Sequence, residues 1–227
     1  MATATIDEVR ALLARATGDE KHDESATSTL DALWVLYDRV LRIDPADASA
    51  EDRDRFLLSK GHGPAAMYAV LAAKGFFPAA WLDDFMAFGG RLGSHPDRTL
   101  VPGIEASTGS LGHGLSMAVG VALALRAKRL AEPRVVVLCG DAELNEGSNW
   151  EAILLAPQRQ LGNLTLLVID NHSSLLSMGP WPERLGSFGW RCEVVDGHDH
   201  DALEAALGVR DDAVPTAVIA DIPEGEW

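Results

Sequence analysis

Cysteine is scarce in this sequence. Only Cys139 and Cys192 occur among 227 residues, with no C-x-x-C pair, which excludes a disulfide framework, a cysteine zinc site and dithiol redox chemistry. A reducing, cytoplasmic setting is expected. Basic residues are also few: 19 Lys and Arg stand against 34 Asp and Glu, a formal net charge of −15. A surface of that sign repels phosphate backbones and anionic lipid, so neither nucleic acid nor a membrane is an expected partner. No apolar run approaches the roughly 18 residues of a membrane helix, and MATATIDEVR lacks the basic start and apolar core of an export signal. G-x-G-x-x-G is missing after the first strand, which argues against a nicotinamide-binding domain. Aromatics make up 6% of the chain, and those at helical spacing (Trp34, Tyr37, Trp81 and Phe85) read as packing residues.

What is present suits a globular core, with 47% hydrophobic and 23% charged residues. The absence of repeats and long linkers predicts a single domain over 1–227 with an N-terminal helical layer over about 1–50. Val9, Leu12 and Leu13, then Leu30 to Leu41, recur at spacings of three and four, around a polar interruption from Gly18 to Ser28. The acidic stretch 44–55 reads as a solvated connection. From Phe56 onward short apolar runs lead into helices, clearest at 134–141, 164–171, 192–197 and 215–222. Such uniformly apolar, β-branched runs predict buried parallel strands, and helical segments at 63–74, 111–130, 148–160 and 199–208 alternate with them. The fold class predicted is α/β: a doubly wound, mostly parallel sheet with helices on both faces. Ligands in such sheets bind at the carboxyl ends of the strands.

The segment G-D-A-E-L-N-E-G at 140–147 follows the strongest strand. Asp141 would project at the strand end just before a helix whose free N–H groups favour an anion. A carboxylate beside a phosphate-favouring helix start suits Mg²⁺, although capping alone also explains such an aspartate. Asn171 ends the next apolar run, so adjacent strand ends bring a second oxygen ligand beside Asp141. His62 and His95 stand in loops beside Gly or Pro, where imidazoles suit polar substrate chemistry. Asp196-Gly197-His198-Asp199-His200-Asp201 has metal-ligating residue types but follows a strand and precedes a helix, which favours a turn and a cap.

Asp141 with Glu143-x-x-Glu146-Gly147, Trp150-Glu151-Ala152, Gly162-Asn163-Leu164 and Asp170-Asn171 resembles the thiamine diphosphate signature of transketolases, in which an Asp and an Asn thirty positions apart bind the metal. DRDRFLLSKGHGPAAMYAVLAAKGFF (52–77) and RLGSHPDRTLVPGIEASTGSLGHGLSMAVGVALALR (91–126) are similar to the family's diphosphate-binding section. The resemblance implies a thiamine-diphosphate-binding fold and two cofactors, thiamine diphosphate and Mg²⁺. It implies cofactor contacts from His62, Gly109, Ser110, Leu111, Gly140, Asp141, Ala142, Glu143 and Asn171. Metal ligation falls to Asp141, Asn171 and a carbonyl near Ser173. Catalytic roles fall to His22, His62 and His95, with Glu146 at a subunit contact near the cofactor, where a first-turn acid favoured by the helix dipole is the alternative.

The family's aminopyrimidine-activating glutamate belongs to a pyrimidine-binding domain not found in this sequence. The resemblance therefore implies a second, C-terminal transketolase-like chain, with two copies of each chain, acting together as a transferase that moves a two-carbon ketol unit from a ketose or ketose phosphate. Departures bear on this reading. Ala142 replaces a glycine and would tolerate φ > 0 poorly, which predicts weakened or repositioned cofactor. Asp23 and Glu24 flank His22 with negative charge, His113 replaces a glutamine, and Pro157-Gln158-Arg159 replaces a histidine-rich stretch. Two alternatives follow: transfer to a lipoyl or carrier-protein acceptor, and a catalytically lapsed structural or regulatory subunit.

Overall fold

A computed structural model describes residues 4–17, 23–176, 178–223 and 225. Among the described residues five parallel strands form one sheet in the order β1-β2-β3-β5-β4: β1 Arg55–Leu58, β2 Val135–Gly140, β3 Leu164–Asp170, β4 Arg191–Asp196 and β5 Thr216–Asp221. Side chains alternate across β2, so Val136 and Leu138 pack on one face while Val135, Val137 and Cys139 pack on the other. The first face is covered by α1 (Ile6–Leu13), α2 (Asp23–Val35), α3 (Ala65–Ala73) and α7 (His200–Gly208), and the second by α4 (Gly114–Ala127), α5 (Gly147–Gln158) and α6 (Trp181–Ser187). The result is the three-layer α/β arrangement predicted from the runs of buried strand residues. Among the described residues no helix is long and apolar enough to cross a membrane.

Three expectations need correction. The polar stretch up to Ser28 is helical from Asp23, because the polar side chains of α2 face the strand ends rather than solvent: Ser28, Thr29 and Asp31 are all buried. The connection before β1 is not uniformly solvated. Asp54 is fully buried, accepting from the backbone N–H of Arg42 and of Arg134 at 2.8 Å each and so tying the entries of β1 and β2 together. The run at 192–197 is not a buried strand, since β4 lies at the sheet edge, paired only with β5, and Val194 is 55% exposed. Glu193 and Asp196 interrupt the apolar residues there, as suits an edge strand whose outer side is open.

The turn at 196–201 behaves as predicted: Asp199 caps α7 by accepting from the N–H groups of Asp201 and Ala202 at 3.0 Å. It does more than cap. His198 Nδ1 and His200 Nε2 both lie within 2.9 Å of the Asp31 carboxylate, which fastens α7 to α2.

Candidate active site

The carboxyl ends of β1, β2 and β3 meet under the amino ends of α2, α4 and α5. Asp141, 2% exposed, leaves β2 into a short 3₁₀ turn, Ala142–Asn145, which leads into α5. Its Oδ1 accepts from Ser173 Oγ at 2.8 Å and its Oδ2 from Ser174 N–H at 2.9 Å. Asn171 follows β3 and is 8% exposed. Its amide nitrogen reaches toward Ser28 Oγ at 3.5 Å, while its Oδ1 is buried with no hydrogen-bond partner among the described residues. An orphaned carbonyl oxygen is costly unless something fills it, and an oxygen-ligated cation beside Asp141 would.

Glu143 is buried and serves the loops. Oε1 accepts from Ser59 Oγ at 2.6 Å and from Gly112 N–H at 3.0 Å, and Oε2 from Gly140 N–H at 3.4 Å. Burial pushes its pKa up against the pull of these donors. Ser59 Oγ accepts from Gly114 N–H at 3.0 Å, so one carboxylate and one hydroxyl bind the end of β1, the 109–112 turn and the start of α4 into a single unit. Gly112, with φ 79, lies so close to Glu146 that a Cβ there would meet Glu146 Cβ at 2.5 Å.

Beside this network Lys60 places its ammonium 2.8 Å from Ser25 O and from Thr29 Oγ1. Burial lowers its pKa to about 8, with the charges of Asp141 and Glu143 pulling the other way. Its position between Ser59 and the Gly61-His62 loop is the sequence signal for a place at this site, one that the usual solvent exposure of lysine hides. His62 and His95 come together as expected, their ring centroids 5.5 Å apart at 63°. The tight packing of Gly61 and Gly109 against the His95 ring sets this approach, since a Cβ at Gly109 would lie 3.1 Å from His95 Cδ2.

Ser110 and Leu111 are exposed on the turn next to Glu146, itself exposed at the amino end of α5 with no side-chain cap bond, a position that suits the helix-dipole alternative as well as a subunit contact. Ala142 is not at positive φ. It opens a right-handed 3₁₀ turn, which alanine adopts freely, and the backbone argument for a disabled site falls. His22 lies outside the described residues.

The thiamine diphosphate binding domain family of transketolase matches residues 1–219. The chain belongs to this family. It is 36% identical over 212 residues to one subunit of the apulose-4-phosphate transketolase of Actinobacillus succinogenes, covering 90% of this chain and 76% of that protein. It is 38% identical over 193 residues to the 6-deoxy-6-sulfo-D-fructose transketolase subunit SqwG of a Clostridium species, covering 82% and 70%. A protein of Rhodococcoides fascians named ferredoxin fas2 is 48% identical over 220 residues, covering 95% and 71%. Among solved structures a Pichia stipitis transketolase variant superposes with TM-score 0.79 at 28% identity, covering 96% of this chain and 36% of the transketolase. The chain thus spans about a third of the length of that full transketolase.

Proposed function

We propose that this chain is the diphosphate-binding subunit of a split, two-chain transketolase-like transferase that moves a two-carbon ketol unit from a ketose or ketose phosphate to an acceptor. The observation that carries the reading is the buried pair of Asp141 carboxylate and unpartnered Asn171 Oδ1 at adjacent strand ends. An all-oxygen donor set at adjacent strand ends suits Mg²⁺, with Asp141, Asn171 and a carbonyl near Ser173 as its protein ligands. What thiamine diphosphate supplies when bound is an electron sink for breaking and remaking the bond beside a carbonyl. The chain's own residues hold and orient. Gly140 and Ala142 bring backbone to the diphosphate, Gly109, Ser110 and Leu111 border the ring, and Glu143 keeps that turn in place. His62 and His95 orient substrate oxygens and pass protons, and His22 is assigned the same role.

Two of the relatives carry subunit names, which supports a two-chain enzyme. The partner in this reading is a C-terminal transketolase-like chain bearing the activating glutamate, in an assembly of two copies of each chain, with Glu146 and Leu111 facing it. Two free cysteines fit the cytoplasm. The ferredoxin name does not carry over, because an iron–sulfur cluster takes about four cysteine ligands and this chain has two cysteines.

The test is turnover of a ketose phosphate with an aldose phosphate acceptor. The isolated chain is expected to be inactive and the chain with its partner active, with Asp141→Ala lowering turnover about a hundredfold or more. Turnover by the isolated chain, or an unimpaired Asp141→Ala complex, would contradict the reading.

A further inference from the structure

Four neighbouring strands end in aspartate: Asp141 follows β2, Asp170 closes β3, Asp221 closes β5 and Asp196 closes β4. Asp170 and Asp221 are register partners, which sets their carboxylates side by side at the rim of the sheet. Among the described residues neither pairs with lysine or arginine. Both share His172, whose Nε2 is 2.9 Å from Asp221 Oδ1 and whose Nδ1 is 3.7 Å from Asp170 Oδ1. His172 reaches them through a left-handed backbone turn, φ 56, that folds its ring back over the strand ends.

From this arrangement we infer that Asp170, His172 and Asp221 form a second divalent-cation site, distinct from the Asp141 and Asn171 pair. One ligand atom from each of the three lies within 4.8 Å of the others. An ion with bonds of about 2.0–2.2 Å holds neighbouring ligand atoms about 3.0–3.5 Å apart, so side-chain rotation alone closes the set. The two sites use different directions from adjacent residues: Asn171 reaches toward Ser28 of α2, while Asp170 faces His172. Two carboxylates and water suit Mn²⁺, and the imidazole adds affinity for first-row transition ions such as Mn²⁺ or Zn²⁺ over Mg²⁺ or Ca²⁺, with water completing the shell at this open rim. An ion here fastens the loop carrying Asn171, Ser173 and Ser174 to β5, and so steadies the groups that contact Asp141.

The site requires neither thiamine diphosphate nor the partner, so it stands or falls independently of the proposed activity. The experiment counts free Mn²⁺ by electron paramagnetic resonance in the full chain carrying Asp141→Ala, without thiamine diphosphate. One bound Mn²⁺ per chain is expected, with affinity falling about tenfold or more when His172→Gln or Asp221→Asn is added. Mn²⁺ should also raise the melting temperature of the Asp141→Ala chain and not that of the Asp141→Ala, His172→Gln chain, a readout that holds if Asp221→Asn folds poorly. No Mn²⁺ bound at millimolar concentration, or binding indifferent to both added substitutions, overturns the site and leaves His172 as a hydrogen-bonding clip only.

Discussion

Lys60 has a folded pKa of about 8 against an ordinary 10.5, because its ammonium is held among α2 hydroxyls and carbonyls rather than in water. Below pH 8 both states are protonated and the full cost of burying the charge is present. Between pH 8 and 10.5 the unfolded chain binds more protons than the folded one, so this group makes stability rise with pH by up to about 3 kcal/mol, at about 1.4 kcal/mol per unit. Urea unfolding across that range should show the rise in the native chain and lose it in Lys60→Met. Ser59→Ala leaves Gly114 N–H unsatisfied and takes a donor from Glu143, which predicts a loss of about 1–3 kcal/mol in the same measurement. Ala142→Gly should bring no gain in thiamine diphosphate affinity, because the residue already sits in a right-handed turn; a clear gain on calorimetric titration would restore the view that alanine impairs the site. At this scale the residues legible in the sequence were those whose partners lie at strand ends, Asp141 and Asn171, and those in the loop motifs, His62 and His95. Glu143 stands out only through the family resemblance, and its binding of Ser59 and Gly112, 84 and 31 positions away, is not legible, since no local pattern encodes a contact made only by folding. Lys60 was missed because a lysine reads as solvent-facing unless its surroundings are known.

At the scale of elements, α4 starts where Gly114 crosses the end of β1. A Cβ at Gly114 would meet Ser59 at 2.2 Å, whereas one at Gly120, in the exposed middle of the same helix, meets nothing within 4 Å. Gly114→Ala should therefore destabilise the chain by about 1–3 kcal/mol through overpacking and loss of the Ser59 bond, while Gly120→Ala should stabilise it by about 0.5–1 kcal/mol through helix propensity. Opposite signs in thermal unfolding check the assignment; equal effects would contradict it. The central strands β2, β3 and β5 were legible because both their faces are buried, which writes an unbroken apolar run. The edge position of β4 was not, because strand order is decided by the crossover that inserts β5 between β3 and β4. Helix α2 was misjudged for a related reason: its polar side chains serve Lys60, Asn171 and the two histidines of the 196–201 turn, so a site-facing helix reads like a solvated one.

The whole molecule gathers its site at one end of the sheet and leaves one side of that site open. Leu111 is 44% exposed on the turn that Glu143 holds, and Leu175 is 98% and Leu176 62% exposed just past Ser174, an apolar fringe beside the buried Asp141. In the two-chain reading the partner covers this fringe, so cofactor binding and assembly should reinforce one another. The direct measurement is calorimetric titration of thiamine diphosphate with Mg²⁺ into this chain, alone and mixed with its partner, and again with Asp141→Ala. Binding that is strengthened by the partner and abolished by Asp141→Ala is the predicted result. A stable complex in which neither the native chain nor the variant binds the cofactor would contradict the account and favour a purely structural subunit.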